Sequence, residues 1–154
     1  MLSSIIKHKN NEGVKVNHLN KVYFVKFFPN GKPQRLLEMK DGDKNGIYLT
    51  FFSNGMISIK SEYKNNKRNG VLIEYGSGGI IKKIEEYWKG HLQGRCVEYE
   101  NGEITQVLHY LRGMKHGYQL YLKTNPRIVQ FDLNREVERW SLNLLQEHFF
   151  KEEK

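Results

Sequence analysis

Apolar and polar residues alternate in short runs that recur along the chain. The residues one, three and five positions after four of the glycines are mostly apolar: Ile47, Leu49 and Phe51, then Val71, Ile73 and Tyr75, then Arg95, Val97 and Tyr99, then Tyr118, Leu120 and Leu122. An earlier run at Tyr23, Val25 and Phe27 has Val22 in place of the glycine. Successive side chains of a strand point to opposite faces, so the alternation predicts half-buried β-strands.

Each predicted strand runs into a tight turn that ends in glycine. The turns read Pro29-Asn30-Gly31, Ser53-Asn54-Gly55, Ser77-Gly78-Gly79 and Glu100-Asn101-Gly102. Asn-Gly favours a two-residue type I′ turn, because both central residues of that turn have positive φ. A return strand follows, and it carries a large residue eight positions after each turn glycine: Met39, Tyr63, Tyr87 and Tyr110. This column predicts a core stacked between neighbouring hairpins.

Two series of glycines share one period. Gly31, Gly55, Gly79 and Gly102 form the first series, and Gly46, Gly70, Gly94 and Gly117 form the second, with steps of 23 or 24 residues. Self-similarity at such a period is typical of a repeat protein. We therefore predict a mainly β fold: an elongated, single-layer antiparallel sheet of hairpins that repeat about every 24 residues. The array is expected to span residues 22–133, with four clear units up to residue 117.

The two ends of the chain depart from the repeat. Residues 1–21 are basic and rich in asparagine, and they are expected to form an arm or an irregular first strand. From residue 134 the apolar spacing becomes helical, so Asn134 is interpreted as the N-cap of an amphipathic α-helix from Arg135 to about Phe150, with a short tail to residue 154. The helix would cap the last hairpin and cover a sheet edge; docking in a partner's groove is the alternative.

The charge of the chain is unevenly distributed. Its net charge is +8, yet residues 134–154 hold four basic and five acidic residues, so the excess lies before residue 134. Many of the basic residues fall in the loops that close the repeats, and the candidate contact residues are Lys64, Lys67, Arg68, Arg112 and Lys115. Stacked loops would align them in a basic stripe for phosphates or anionic lipid headgroups. Solubility of the sheet edge and an acidic protein partner are the alternatives.

Residues suited to catalysis or metal binding do not fall into a recognisable motif. The chain contains no H-E-x-x-H, C-x-x-C, G-x-S-x-G or Walker-type sequence. The glycine-rich run 75–79 occupies a turn of the repeat, and His91, His109 and His116 lack Cys or carboxylate partners at metal-ligand spacing. Cys96, the single cysteine, falls in a predicted strand and is interpreted as a small buried residue. We predict a protein that is not an enzyme and that needs no cofactor or metal.

The repeat resembles the MORN family (membrane occupation and recognition nexus), in the variant form found in bacteria and viruses. FFPNG, FFSNG and YENG match the first half of that repeat, and NNKRNG, KGHLQG and RGMKHGY match the second half. The match covers nearly two thirds of the chain, and the Gly-x-Trp of the eukaryotic form does not occur in it. The resemblance implies an elongated, twisted sheet of hairpins. It also implies roles in scaffolding, self-association, phospholipid contact or, for some bacterial members, antitoxin function.

These observations favour a protein–protein interaction or scaffold module, in one version a structural component of a viral particle. A module that associates with a membrane or another polyanion through the basic stripe is the alternative, and an antitoxin-like inhibitor is a third. Self-association through an open sheet edge is a further expectation. The sequence shows neither a secretory signal nor a transmembrane segment, so we expect a cytoplasmic or virion-associated protein.

Overall fold

The structure, a computed structural model, describes the backbone of residues 5–7 and all of residues 13–142. The chain forms fifteen strands within these ranges: β1 (Ile5–Lys7), β2 (Val14–His18), β3 (Lys21–Phe27), β4 (Pro33–Lys40), β5 (Asp43–Phe51), β6 (Ile57–Lys64), β7 (Lys67–Arg68), β8 (Gly70–Tyr75), β9 (Ile81–Trp88), β10 (His91–Glu100), β11 (Glu103–Leu111), β12 (Met114–Lys115), β13 (Gly117–Tyr121), β14 (Arg127–Asp132) and β15 (Arg135–Ser141).

All of these strands belong to one open antiparallel sheet in which the spatial order follows the order along the chain. The short strands β7 and β12 pair with β6 and β11, next to β8 and β13. The prediction of a mainly β, antiparallel hairpin fold is confirmed. Because each strand pairs with the next, the connections alternate between the two ends of the strands. These ends form the two long edges of the sheet.

We call one of them the turn edge; it contains the connections at residues 28–32, 52–56, 76–80 and 101–102. The prediction of type I′ turns here is wrong for the first three. Only Gly31, Gly55 and Gly79 have positive φ in those loops. Phe28 N–H donates to Lys32 O at 2.8 Å and Gly31 N–H donates to Phe28 O at 3.0 Å, which describes a three-residue loop ending in a left-handed glycine. Asn101 and Gly102, with φ of 54° and 85°, do form a two-residue turn of the predicted kind.

Asparagine side chains support two of the three-residue loops, whereas the loop at residues 76–80 contains no asparagine. In the loop at residue 54, Asn54 Oδ1 accepts a hydrogen bond from Met56 N–H at 2.9 Å, and Asn54 Nδ2 donates to Ser77 O of the next loop at 3.1 Å. Asn30 bonds in the same way to Lys32 N–H and Ser53 O. Asparagine thus closes its own turn and ties it to the following one, a function that does not require positive φ at the asparagine.

The opposite edge, which we call the bulge edge, carries the type I′ turns. Both central residues of each connection have positive φ; the pairs are Leu19-Asn20, Asp41-Gly42, Asn65-Asn66, Lys89-Gly90, Arg112-Gly113 and Leu133-Asn134. Three of these pairs, Asn65-Asn66, Lys89-Gly90 and Arg112-Gly113, begin the loops that the sequence shows to be basic. The turn type predicted for Asn-Gly is therefore found mainly at the other end of the hairpins.

The two faces of the sheet differ in burial. The inner face, defined by the buried Leu37, Leu72, Cys96, Leu108 and Val129, also contains the buried Ser61 and Gln119. Strand register places these residues in one row across the sheet, with Tyr48 between Leu37 and Ser61 and Glu85 between Leu72 and Cys96. The residues that alternate with this row form the outer face, and apart from the buried Glu38 they are more exposed. Ile47, Val71 and Tyr118, which the alternation marks as apolar strand positions, are exposed there.

The predicted C-terminal capping helix is wrong over residues 135–141, which form β15 paired with β14. Asn134 is not a helix cap: it has φ of 71° in a type I′ turn, and its Oδ1 accepts a hydrogen bond from Lys115 N–H at 2.7 Å. Pairing with β14 satisfies backbone groups that a helix would leave exposed at that edge. The rest of the predicted helix, residues 143–150, and the tail lie outside the described residues.

At the other end, β1 and β2 lie before residue 22, where the sequence suggests an arm or an irregular first strand. β2 pairs with β3 through five residue pairs, from Val14 with Val25 to His18 with Lys21. The hairpin sheet therefore includes residues on the N-terminal side of the predicted repeat array.

Candidate functional site

The bulge edge contains the predicted basic residues, and a repeated irregularity of the backbone shapes it. In four places three residues of one strand face a single residue of the strand before it. The three-residue segments are Asn45-Gly46-Ile47, Asn69-Gly70-Val71, Gln93-Gly94-Arg95 and His116-Gly117-Tyr118, and the single residues are Glu38, Glu62, Glu86 and His109. The second glycine series of the sequence therefore marks bulges rather than turns.

A glutamate occupies the space that a side chain at the bulge would need. A Cβ built on Gly46, Gly70 or Gly94 would lie within 3.0 Å of the carboxylate of Glu38, Glu62 or Glu86, respectively. Glu86 Oε2 accepts a hydrogen bond from Arg95 N–H at 3.0 Å, and Glu38 Oε2 accepts one from Ile47 N–H at 3.2 Å. The carboxylate thus binds a backbone amide that the bulge removes from the strand ladder.

Glu38 also forms an ion pair with Lys21, with 2.8 Å between Oε1 and Nζ. Burial alone would raise the pKa of Glu38, but the hydrogen bonds from Lys21 and from the Ile47 amide outweigh it and lower that pKa below its ordinary value. The hydrogen bond with Glu38 raises the pKa of Lys21. The first bulge is therefore organised around an ionised carboxylate.

The fourth bulge uses an amide side chain instead of a carboxylate. Gln119 is fully buried, its Oε1 accepts from His109 N–H at 2.8 Å, and its Nε2 donates to His109 O at 3.0 Å. Its Nε2 also lies 3.2 Å from Gly117 O. His109 Nδ1–H donates to Tyr118 O at 2.7 Å across the same bulge. Histidine and glutamine together replace the glutamate of the earlier repeats.

Backbone hydrogen bonds join each loop of the bulge edge to the next one. The second residue of a type I′ turn donates its N–H to a carbonyl of the preceding loop. Four such bonds, of 2.8 to 3.0 Å, run from Asn66 to Lys44, from Gly90 to Arg68, from Gly113 to Leu92 and from Asn134 to Lys115. The loops are therefore stacked in a fixed order, as the hypothesis of a basic stripe requires.

Two of the five predicted contact residues pack on aromatic rings of the inner face. The Arg68 guanidinium lies 5.3 Å from the centre of the Tyr87 ring, and Lys115 Nζ lies 5.2 Å from the centre of the Phe131 ring. Desolvation by itself would lower the pKa of Arg68, but its contacts with Tyr63 and Tyr87 raise it. Cation–π contacts of this kind stabilise the stack of hairpins. Sequence reasoning missed this role, although Arg68 stands 19 residues before Tyr87 and Lys115 stands 16 residues before Phe131.

The other three predicted contact residues, Lys64, Lys67 and Arg112, are exposed. Lys64 and Lys67 are paired across the end of β6 and β7. They line a cleft of about 270 Å³ together with Asn65, Asn69, Trp88 and Lys89, which we call the Trp88 cleft. Trp88 is 57% exposed, and sequence reasoning did not single it out. The sequence does place this tryptophan directly before the basic loop KGHLQG, and that position is the signal by which the cleft could have been found.

The half-buried charges of the inner face pair with one another. Lys83 Nζ lies 3.3 Å from Glu85 and 3.1 Å from Glu98, and Tyr87 O–H donates to Glu85 at 2.9 Å. Cys96 is buried beside them, and burial raises the pKa of its thiol to about 11. A thiol with this pKa is protonated at neutral pH and therefore a poor nucleophile. Within the part of the chain that the structure describes, no three His, Cys, Asp or Glu side chains are grouped as metal ligands.

On the outer face, apolar residues form a row across seven strands. Register pairs each with the next: Ile73, Ile84, Val97, Val107, Leu120, Ile128 and Trp140. At its C-terminal end the row widens into an apolar groove of about 530 Å³, lined by Val107, His109, Tyr118, Leu120, Ile128 and Trp140, which we call the outer-face groove. The rings of Tyr118 and Trp140 lie 6.1 Å apart, and Tyr118 is 58% exposed.

Comparison with known proteins does not assign a family. No protein-family model matches the chain, and no curated protein matches it either. The resemblance to MORN repeats therefore stays a prediction from the residues. Among the described residues, no helix has the length and apolar character needed to cross a membrane.

Proposed function

We propose that this chain is a non-enzymatic, MORN-like repeat protein that acts as a scaffold for another protein. The outer-face groove is the observation that carries the proposal. Contiguous apolar surface on a folded protein often marks an interaction site, and the row from Ile73 to Trp140 is such a surface. With about 4.8 Å between strands, its seven residues extend over about 29 Å.

Aromatic residues at the groove favour a protein as the occupant. Tyrosine and tryptophan are enriched among the residues that contribute most to protein–protein binding. Tyr118 and Trp140 form a tilted pair, with 47° between their ring planes, above the apolar floor of Leu120 and Ile128. An apolar side chain of a partner would pack against these rings and the aliphatic side chains beside them, and His109 is the most polar of the six residues that line the groove.

The stacked loops suit a scaffold. Each bulge-edge loop is tied to the next by a backbone hydrogen bond, so the spacing of the hairpins is held at that edge. Nearest-neighbour interfaces of this kind carry the stability of repeat proteins. A surface held at fixed spacing binds with a smaller loss of conformational entropy than a flexible one.

Binding of a protein at the groove can be tested with two variants of the tagged full-length chain. Tyr118→Glu introduces a charge at the exposed ring, and Ile80→Glu introduces the same charge at an exposed apolar residue of the turn edge. Each is incubated with nuclease-treated extract of the native source, washed at low and at high salt, and analysed by mass spectrometry. High salt screens exposed charge contacts but leaves apolar contacts intact.

We expect one stoichiometric protein to stay bound to the wild type and to Ile80→Glu at high salt, and to be lost from Tyr118→Glu. The identity of that protein then distinguishes a virion component, a toxin and a cytoplasmic assembly. Equal retention by both variants, or retention of no protein at high salt, would contradict the proposal. Self-association at the groove would appear as a dimer of the wild type that Tyr118→Glu dissociates.

A further inference from the structure

We propose that the Trp88 cleft binds single-stranded nucleic acid, with a base stacked on Trp88 and phosphates held by Lys64, Lys67 and Lys89. This inference concerns the bulge edge and does not depend on the outer-face groove. It rests on three observations: the exposure of the indole, the charges around it and the way in which the loops hold both.

The indole offers a flat surface for stacking. Trp88 is the last residue of β9 and 57% exposed, although tryptophan is a residue that folded chains usually bury in large part. Lys89 Nζ lies over one face of the indole, 5.6 Å from its centre, so a base would stack on the opposite face, next to this cation. Stacking of a base on an aromatic ring, with basic groups along the backbone, is the usual way in which proteins hold single strands.

The cations of the cleft are not neutralised by carboxylates. Lys64, Lys67 and Lys89 take part in no ion pair with the residues that the structure describes, whereas Lys21, Lys83 and Arg95 each pair with a glutamate. The remaining lining residues, Asn65 and Asn69, carry neutral amides. The cleft therefore combines three positive charges, two amides and one aromatic ring. This combination suits an anion that also carries an aromatic ring with polar groups at its edge.

The lining distinguishes this ligand from a peptide that is anchored by an apolar side chain. An apolar side chain of a peptide needs an apolar pocket, but Trp88 is the only apolar residue among the six that line the cleft. A nucleobase needs one aromatic face, and its edges can bond to amides such as those of Asn65 and Asn69. The chemistry of the cleft therefore favours a base over an aliphatic or aromatic side chain of a peptide.

The fold holds these groups in place before any ligand binds. The Lys67 stem packs against the Gly90 turn, where Cβ, Cγ and Cδ of Lys67 lie 3.7 to 3.9 Å from the position that a Cβ on Gly90 would take. Gly90 N–H donates to Arg68 O at 2.8 Å, and Lys89 N–H donates to Asn69 Oδ1 at 3.3 Å. Two successive loops thus fix the backbone that carries Lys67 and Lys89.

The site continues beyond Trp88 toward the following loop. A second depression is lined by Tyr87, Trp88, Gln93, Leu111 and Arg112, so the tryptophan separates two neighbouring clefts. The Arg112 N–H donates to Gln93 Oε1 at 3.1 Å, which anchors that loop to the same hairpin. An exposed arginine on the second side gives a strand crossing Trp88 a further phosphate contact.

Binding can be measured by fluorescence anisotropy with a labelled oligothymidylate of about twelve nucleotides, a length suited to a site of this type. We expect Trp88→Ala in the full-length chain to weaken binding by roughly fivefold or more, since base–aromatic stacking contributes that much. The Lys67→Ala, Lys89→Ala double variant should reduce the slope of affinity against salt concentration between about 50 and 200 mM, because fewer counterions are released.

Two matched controls separate this site from the rest of the molecule. Trp140→Ala removes a tryptophan from the outer-face groove, and Lys60→Ala removes a lysine that is exposed on the outer face but lies outside the cleft. Both are expected to bind the oligonucleotide as the wild type does. The groove proposal can fail in its own experiment without changing this result, and circular dichroism verifies that each variant is folded.

Competitors without bases identify the chemistry. Heparin, polyglutamate and phosphatidylserine vesicles are added in turn to the wild type and to Trp88→Ala. Selective loss of oligonucleotide binding in Trp88→Ala, with little change for heparin, supports the proposal. The proposal would be overturned if Trp88→Ala lost binding to polyglutamate or to vesicles as strongly as binding to the oligonucleotide. It would also be overturned if Trp88→Ala had no effect, or if the wild type did not bind the oligonucleotide at low salt.

Discussion

The two long edges of the sheet connect the same hairpins by different means. At the turn edge, Gly31 and Gly102 have positive φ but nothing within 4 Å of the place where a Cβ would be. At the bulge edge, the corresponding place on Gly46 and Gly94 is occupied by a glutamate carboxylate. Both edges require glycine for its conformation, but Gly46 and Gly94 of the bulge edge are also required for space.

One repeat can therefore contain two kinds of glycine that look alike in the sequence. Glycines such as Gly31 and Gly102 close a loop in solvent, so substitution there strains only the backbone. Gly46 and Gly94 make room for a glutamate that accepts a hydrogen bond from the next amide of the chain, so substitution there also displaces a hydrogen-bond acceptor. Substitutions at the two edges test this contrast.

Gly94→Ala is expected to lower the free energy of unfolding by about 4 kcal/mol, because the strain of positive φ adds to the displacement of Glu86 from the Arg95 amide. Gly102→Ala, with φ of 85° and open space around it, should lower that free energy by only about 1 kcal/mol. Urea denaturation of both variants measures the difference. Equal effects would show that crowding at the bulge does not contribute.

A double-mutant cycle identifies the source of the larger effect. If Glu86 causes the crowding, Glu86→Ala combined with Gly94→Ala should lower stability by less than the sum of the single changes, with a coupling of about 1 kcal/mol or more. Additive effects would assign the whole effect of Gly94→Ala to its backbone conformation.

Gln119→Leu tests whether the fourth bulge depends on its buried amide as the others depend on carboxylates. The change leaves the backbone N–H and C=O of His109 without the partners that Gln119 supplies, and we expect a loss of about 3 kcal/mol. Hydrogen exchange should show lower protection of the His109 amide. Unchanged protection would mean that this bulge does not need the glutamine.

Glu38→Gln tests the carboxylate of the first bulge through its pH dependence. Because the folded-state pKa of Glu38 lies below its ordinary value, its contribution is present above about pH 4.5 and is lost as the pH falls through the folded pKa. We expect the variant to be less stable than the wild type by about 1–2 kcal/mol at pH 7, with a smaller gap near pH 3. A gap that stays constant with pH would exclude an ionised Glu38 as the source.

Asn54→Ala gives the smallest effect, at the turn edge. The asparagine bonds to Met56 N–H and to Ser77 O, both in exposed loops where water can replace it. We expect a loss of about 1 kcal/mol, measured by thermal unfolding. A loss as large as that of Gly94→Ala would remove the distinction between the two edges.

The periodic parts of the fold were predictable from the sequence, because alternation and glycine spacing are local signals. The hairpin sheet followed from residues such as Leu49, Ile73 and Val97 and from the turns near Asn54 and Asn101. The sequence did not predict which face of the sheet is more buried. Ser61, Cys96 and Gln119 become buried through cross-strand neighbours that the local pattern does not reveal.

Two further errors have the same origin. Residues 135–141 have helical apolar spacing, but the unpaired edge of β14 offers a strand partner, and that tertiary contact outweighs the local preference. Of the candidate site, the basic residues were found, whereas the exposure of Trp88 and the engagement of Arg68 and Lys115 with aromatic rings depend on the positions of neighbouring loops.

The agreement between strand order and chain order has a consequence for how the protein folds. Each strand finds its partner in the segment made directly before it, so few long loops must close during folding. All-β proteins usually fold slowly because their contacts join distant segments, and this sheet avoids that delay. Hairpins can therefore add one after another while the chain is still being synthesised, each on the strand that has just emerged.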